Sequence, residues 1–186
     1  VAGPNAIKYI NGLEKSSDAV SSNLYNGAVM EQEDKWNSIM NMNGTENAYV
    51  IHKELGEWMT DNVTVVRYND KLLQTDEKIQ ELLERYNNIN INDTAKWSNQ
   101  GAAFTRQLEH MLQLARVITL GAYKRNESRG AHYKPDFPER NDEEFLKTTM
   151  AKFVNSTSAP EIFYEDVDVS LIKPRKRDYS KSKGGN

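Results

Sequence analysis

Residues 98–126 constrain the fold more than any other part of this sequence. Apolar side chains recur there at alternating intervals of four and three residues, which is the period of one face of an α-helix. The positions that follow this period are Phe104, Leu108, Met111, Ala115, Ile118 and Ala122. Four further apolar residues widen the stripe: Leu112, Leu114, Val117 and Leu120. A helix that is apolar over more than one face packs against several elements, so the sequence predicts a long central helix here.

Three other segments have helical character. Residues 2–10 form a short apolar-patterned stretch that Gly12 ends. Residues 22–41 predict a second helix, whose inward stripe we expect to be Tyr25, Val29, Trp36 and Met40. A third helix begins near Ala48, with Thr45 or Asn47 as its cap. Its apolar period continues through residues 63–66 to Tyr86, which predicts either one long helix or two in tandem.

The predicted fold is all-α. Long helices joined by short polar turns pack as an antiparallel bundle, and we expect a three-helix bundle similar to a spectrin repeat over residues 16–126. Residues 1–15 are predicted to be the end of a helix from another domain. Residues 127–153 are predicted to be a loop followed by a short helix over 142–153. Residues 154–186 are predicted to hold an extended or β segment, at 163–172, and a basic tail.

Composition excludes several classes of function. The 186 residues include no cysteine, which excludes disulfides, thiolate catalysis and cysteine-ligated zinc or iron–sulfur centres. The net charge of -3 gives no field that would attract nucleic acid. His52 and His110 lack the i, i+4 histidine spacing of a zinc peptidase, so no metal site is predicted. No glycine-rich dinucleotide fingerprint occurs, so no flavin or nicotinamide site is predicted within the chain.

One loop gathers the residues most suited to binding. Glu127, Ser128, Arg129, Gly130 and His132 follow directly on the central helix. Such a set could bind a carboxylate, because arginine offers a fork of donors and histidine a further one. Alternatively, the charged pair and the hydroxyl tie down the loop and dock it on a neighbour. No second acid–base partner lies nearby in sequence, so no catalytic residue is assigned and these five residues are predicted docking candidates.

The C-terminal residues 173–177, Lys-Pro-Arg-Lys-Arg, are typical of a nuclear-localisation or phosphate-binding patch. A solvated tail, which could pair with the acidic residues Glu165, Asp166 and Asp168, is the simpler explanation. We favour the solvated tail and predict no nucleic-acid partner.

Residues 126–140 read Asn-Glu-Ser-Arg-Gly-Ala-His-Tyr-Lys-Pro-Asp-Phe-Pro-Glu-Arg. They resemble a signature of the succinate dehydrogenase and fumarate reductase flavoprotein family, Glu-Ser-Arg-Gly-x-His followed by Asp-x-Pro-x-Arg. Residues 61–67, which end in Val-Val-Arg, residues 164–177 and residues 1–4 are also similar to segments of that family, so the resemblance covers nearly the whole chain. Lys134 stands where many relatives have Arg, and the two are not interchangeable at bidentate sites.

The resemblance implies an enzyme that oxidises succinate to fumarate with a covalently held FAD and passes electrons through an iron–sulfur subunit to a membrane-anchored quinone site. The flavin and substrate residues of the family lie in FAD-binding and capping domains ahead of Val1. The resemblance therefore implies no cofactor within this chain, FAD in the parent subunit, and a scaffold role for this part. It also implies a soluble chain whose parent complex lies on the cytoplasmic side of a bacterial membrane.

Alternatives remain open within and beyond the family. Residues 164–177 favour the succinate dehydrogenase branch over a fumarate reductase or an L-aspartate oxidase. The other alternative is a free-standing helical adaptor whose apolar stripes bind a partner helix.

Overall fold

A computed structural model of the chain describes residues 2–13 and 20–175. The helices in chain order are α1 (Ala2–Asn11), α2 (Ser22–Met40), α3 (Ala48–Asn62), α4 (Asn69–Tyr86), α5 (Gln100–Lys124) and α6 (Asp142–Phe145). Two strands follow, β1 (Lys147–Lys152) and β2 (Glu161–Asp166), which pair antiparallel with Lys147 opposite Asp166. The described part is thus mostly helical with one small sheet. None of its helices is long and apolar enough to cross a membrane.

Helix α5 is the centre of the fold, as its period predicted. It contacts α2, α3, α4 and both strands. The main core lies where α3, α4 and α5 meet, and its fully buried members include Ile51, Ile79, Leu82, Leu108 and Leu112. The side chain of Asn99 accepts the backbone N–H of Ala102 and caps α5, which satisfies a donor that the helix leaves unpaired.

Residues 63–68 between α3 and α4 are not helical, so the single long helix allowed by the sequence is wrong and two helices are present. Asn47 caps the first of them, as one of the two predicted alternatives had it. Val65 and Arg67 flank a parallel bridge between Val66 and Tyr133. The N–H of Arg67 donates to the carbonyl of Tyr133 at 2.9 Å, and the N–H of Tyr133 donates to Val65 at 3.1 Å. β-Branched residues favour extended backbone, and this distant partner decides the conformation.

Helix α2 has the predicted bounds, but part of its predicted stripe is wrong. Tyr25 and Val29 are more than half exposed, and the buried residue is Ile39, near the C-terminal end. Only α5 packs substantially against α2 among the described elements. A single neighbour buries a narrow face, so periodicity alone overestimated the buried stripe.

The helix predicted for residues 142–153 is also wrong beyond its first turn. Three acidic residues and the cap of Asn141 start α6, but it ends at Phe145. The next residues pair as β1 with β2, and this pairing is a nonlocal interaction that a local helix signal cannot reveal. The predicted extended segment is confirmed as β structure only up to Asp166.

A buried ion pair joins α4 to α5. The guanidinium of Arg116, 4% exposed, donates from Nε to Asp76 Oδ1 at 2.8 Å and from Nη2 to Oδ2 at 3.4 Å. Arg116 Nη1 also donates to the carbonyl of Thr157 at 3.4 Å, and Gln80 donates to Asp76 at 2.9 Å. The pair therefore fixes the relative position of the two helices and of the segment that precedes β2.

Replacing Arg116 with Met should lower the free energy of unfolding by about 3–5 kcal/mol, because it leaves the Asp76 carboxylate buried without its cation. The double variant Asp76→Asn/Arg116→Met should lose much less, since neither charge remains. Urea unfolding followed by helical circular dichroism measures both. Equal losses in the single and double variants would contradict this account.

Candidate functional site

The loop that follows α5, residues 126–141, is organised around one buried carboxylate; we call it the Glu127 loop. Glu127 is 0% exposed. Arg129 binds it as a fork, with Nε 2.8 Å from Oε1 and Nη2 2.9 Å from Oε2. The backbone N–H of Asn141 donates to Oε2 at 2.9 Å, and Arg125 Nη1 lies 3.4 Å from Oε1. A buried carboxylate with this many donors ties both ends of the loop together.

Arg129 connects this carboxylate to the start of α6. Its Nη2 also donates to Asp142 Oδ1 at 2.7 Å. The hydrogen bonds to Glu127, and then to Asp142, raise the pKa of Arg129 above its ordinary value. The same contact with Arg129, together with one to Arg140, lowers the pKa of Asp142. The predicted charged pair that ties down the loop is therefore present.

Ser128 and Gly130 give the loop its turn. Ser128 Oγ accepts the backbone N–H of Lys134 at 3.0 Å. Arg129 and His132 exchange backbone hydrogen bonds at 2.8 and 3.1 Å across a tight turn. Gly130 has a φ of +61°, which a residue with a side chain adopts only at a cost. The exposed tip of the loop is therefore a turn that requires glycine.

His132 joins the loop to the segment between α3 and α4. Its Nε2 lies 2.9 Å from the carbonyl of Arg125, which can only accept, so Nε2 carries the proton. Its Nδ1 then accepts from Arg67 Nη1 at 2.6 Å. Burial lowers the pKa of His132, and the nearby cations Arg67, Lys134 and Arg125 lower it further, against the opposing bond to the Arg125 carbonyl. The ring is accordingly neutral at pH 7.

Arg67 completes this contact and was not among the predicted site residues. Its Nε donates to the carbonyl of Val63 at 3.1 Å, and burial lowers its pKa. Within residues 2–13 and 20–175, no carboxylate forms an ion pair with it. Arg67 ends a β-branched run in a segment similar to the family, but nothing local in the sequence indicates its histidine partner, which lies 65 positions away.

Lys134 is a second residue whose role the sequence did not reveal. Its side chain is 1% exposed. The ammonium donates to Asn69 Oδ1 at 2.6 Å, to the Tyr123 carbonyl at 2.9 Å and to Asn126 Oδ1 at 3.0 Å. Burial lowers its pKa to about 8. The three acceptors belong to α4, α5 and the Glu127 loop, so Lys134 holds these elements together.

Arg125 ties the same region to the sheet. Its Nη2 donates to the carbonyls of Phe145 and Lys147 at 2.9 and 2.6 Å. Its guanidinium also lies over the rings of Phe145 and Tyr164, at 5.5 and 5.9 Å from their centroids. The end of α5, the Glu127 loop and the two strands are therefore one connected unit.

The structure thus brings all five predicted docking residues into one loop, but in unequal positions. Glu127 lies beneath the surface, so any part it takes in docking is indirect. Gly130 is exposed, whereas Ser128, Arg129 and His132 are partly buried and bonded within the chain. The hydrogen bonds within the Glu127 loop fix its conformation and leave Gly130 exposed at its tip. That the loop docks on another domain stays a prediction.

The remaining candidate residues have ordinary surroundings. His52 lies edge-on to Phe104. Among the residues that the structure describes, no group of His, Asp and Glu could hold a metal ion. The Arg175 carbonyl accepts from Arg140, whereas the predicted pairing of the acidic run with residues 176 and 177 lies outside the described residues.

The starts of α2 to α6 lack the glycine-rich turn at which the pyrophosphate of a dinucleotide cofactor approaches a helix. The pyrophosphate of such a cofactor binds free N–H groups at a helix N-terminus. Side chains of Ser21, Asn47, Asn99 and Asn141 already accept N–H groups at the starts of α2, α3, α5 and α6. Helix α4 has Asp70 in its first turn, which repels an anion. We therefore assign no described residue to FAD.

The fold and the loop define a helical domain that carries an ordered, ion-paired loop. Residues 52–179 match the family model described as "Fumarate reductase flavoprotein C-term". The succinate dehydrogenase flavoprotein subunit of Bacillus subtilis is 74% identical over 183 residues, which are 98% of this chain and 31% of that subunit. The fumarate reductase flavoprotein subunit of Proteus vulgaris is 36% identical over 96% of this chain and 29% of that subunit.

A solved structure supports the same relationship. A variant of Escherichia coli quinol fumarate reductase superposes with a TM-score of 0.77 at 29% identity, over 88% of this chain and 27% of that one. The chain therefore belongs to the family of C-terminal domains of succinate dehydrogenase and fumarate reductase flavoproteins. It spans about a third of the length of the curated relatives it matches.

The variant Glu127→Gln should lower the free energy of unfolding by about 3–5 kcal/mol, since it removes the buried charge that Arg129 binds. The matched control Glu143→Gln, at an exposed position of α6, should change it by less than about 0.5 kcal/mol. Chemical unfolding of the purified proteins measures both values. A loss as small as that of the control would show that Glu127 does not organise the loop.

Stability should also fall in mild acid because of His132. Its pKa is lower in the folded state than the ordinary 6.5, so the unfolded chain takes up a proton first as pH falls. The contribution of His132 is present above about pH 6.5 and is lost between there and its folded pKa. The variant His132→Gln should show a shallower fall in unfolding free energy from pH 7.5 to 5.5. Parallel curves for the two proteins would contradict the neutral ring.

Proposed function

We propose that this chain is the C-terminal helical domain of a succinate dehydrogenase flavoprotein subunit. The parent subunit would oxidise succinate to fumarate with FAD and pass the electrons through an iron–sulfur subunit to a quinone. The observation that carries the proposal is the 74% identity to a succinate dehydrogenase flavoprotein subunit across 98% of the chain. Family membership speaks against the free-standing helical adaptor.

The proposed role of the domain itself is structural. Residues 16–126 would form a bundle with three main helices, as in a spectrin repeat, and residues 1–15 would end a helix of the flavin-binding part. The Glu127 loop would dock that part, with Ser128, Arg129, Gly130 and His132 at or near the contact. The internal pairing of Glu127 supports this role, because a rigid loop loses little entropy on docking.

The proposed partners of this domain are those of the parent flavoprotein subunit. The E. coli neighbour is a quinol fumarate reductase by its name, and we propose the corresponding assembly here. The domain would join FAD-binding and capping domains in one subunit, beside an iron–sulfur subunit and a membrane anchor. The complex would lie at the cytoplasmic face of a bacterial membrane.

A fumarate reductase is the second candidate, because a relative with that name is 36% identical to this chain. The two differ in the direction of the physiological reaction. Comparing succinate oxidation with fumarate reduction at matched quinone potentials separates them. The much higher identity to the succinate dehydrogenase subunit favours oxidation.

The proposal is tested on the flavoprotein subunit that contains this sequence, produced with its iron–sulfur and anchor subunits. It should carry flavin and reduce a dye when succinate is added. The chain of 186 residues produced alone should show neither flavin absorbance nor succinate-dependent dye reduction. A subunit without flavin, or dye reduction by the chain alone, would contradict the proposal.

A further inference from the structure

An open cleft of about 290 Å³ lies on α5 beside the Glu127 loop. Its polar lining residues are Arg67, Arg125, His132 and Thr149, and its apolar ones are Val117, Ile118, Gly121 and Ala122. The cleft therefore combines two guanidinium groups with an apolar helix face. The guanidinium of Arg125 already binds the carbonyls of Phe145 and Lys147 and pairs with Glu127, so Arg67 is the one without a carboxylate among the described residues. Each of these features alone is common on a protein surface, but here they share one concave site.

The apolar face extends well beyond the cleft. Ile118 and Leu114 are 50% and 61% exposed, although the period of α5 marks both as apolar-stripe positions. Val117 also lines a neighbouring groove that includes Phe153 and Val154, which are 65% and 53% exposed. A continuous exposed apolar patch of this kind marks an interaction surface. The sequence pattern is thus consistent with a helix face that something else covers.

The positive charge of Arg67 indicates the chemistry of the surface that covers the cleft. Arg67 donates from Nε to the Val63 carbonyl and from Nη1 to His132. No carboxylate in the described ranges pairs with it. The remaining donors of its fork are suited to a carboxylate. Covering a guanidinium without supplying an opposite charge is strongly unfavourable. A covering surface that brings an acidic side chain as well as apolar ones would match both sides of the cleft.

We infer that this cleft receives an aspartate or glutamate from the flavin-binding part of the same polypeptide, which also covers Ile118. The inference rests on the proposed function. The chain corresponds to 31% of the length of its Bacillus subtilis relative, so most of such a subunit lies outside these residues and is tethered to them. Arg67 is then a docking residue, and His132 positions it by accepting from Nη1.

Site-specific thiol labelling of the complete flavoprotein subunit tests this inference. The chain has no cysteine, so Ile118→Cys introduces the only thiol in this region, and peptide mass mapping assigns the label. Lys53→Cys is the matched control, because Lys53 is highly exposed on α3. Maleimide should modify position 118 at least about tenfold more slowly than position 53, because labelling must wait for the contact to open. In urea the two rates should become equal.

A second set of variants tests the charge. Adding Arg67→Gln to Ile118→Cys should raise the labelling rate at position 118 roughly several-fold, since a docked carboxylate loses its partner. Arg67→Lys, which keeps the charge, should restore most of the protection. Arg106→Gln, nearer the start of α5, should leave the rate unchanged. Equal rates for the Gln and Lys variants at position 67 would overturn the carboxylate contact.

Three results would overturn the inference. Labelling of position 118 as fast as position 53 in the isolated subunit would show that the cleft is open. Protection that appears only when the iron–sulfur subunit is added would assign the cleft to that subunit. Protection that depends on protein concentration would assign it to a second copy. If the subunit carries flavin and oxidises succinate in any of these cases, only this inference fails and the proposed function stands.

Discussion

The buried carboxylate of Glu127 is the group on which the organisation of the site depends. Its oxygens accept from Arg129, from the backbone of Asn141 and, at longer range, from Arg125. A charge removed from water is stable only when donors surround it, so the loop must adopt the one conformation that supplies them. That conformation places His132 against Arg67. The position of the half-buried guanidinium of Arg67 is thus a consequence of the buried Glu127 carboxylate.

Helix α5 transmits this order to the rest of the fold. Near its middle, Arg116 pairs with Asp76 of α4, and at its end Arg125 binds the carbonyls that lead into β1. Lys134 adds a third link, because its ammonium binds acceptors from α4, from α5 and from the loop. These cations therefore link the loop to α4, α5 and the sheet beside the apolar core. A rigid surface of this kind suits a domain that supports another.

The sequence predicted the features that depend on local residue patterns. It did not predict those that depend on contacts between residues far apart in the chain. The bounds and central place of α5 followed from its period, and the gathering of Glu127 and Arg129 followed from a motif. By contrast, β1 was predicted as helix because acidic residues begin α6, while its pairing with β2 is nonlocal. Arg67 and Lys134 gave no local signal of their contacts, since their partners lie far along the chain. The exposure of Ile118 could not be predicted either. The spacing of apolar residues along α5 shows which face is apolar, but it does not show what packs against that face.

The central claim is that Glu127 holds the loop in a single conformation. Amide hydrogen exchange at Asn141 tests it most directly, because that N–H donates to Glu127 Oε2 at 2.9 Å and no helix or strand bond protects it. The account predicts exchange at Asn141 as slow as at the central amides of α5, through the same global opening. Exchange at the rate of an unprotected loop amide, with α5 still protected, would contradict it.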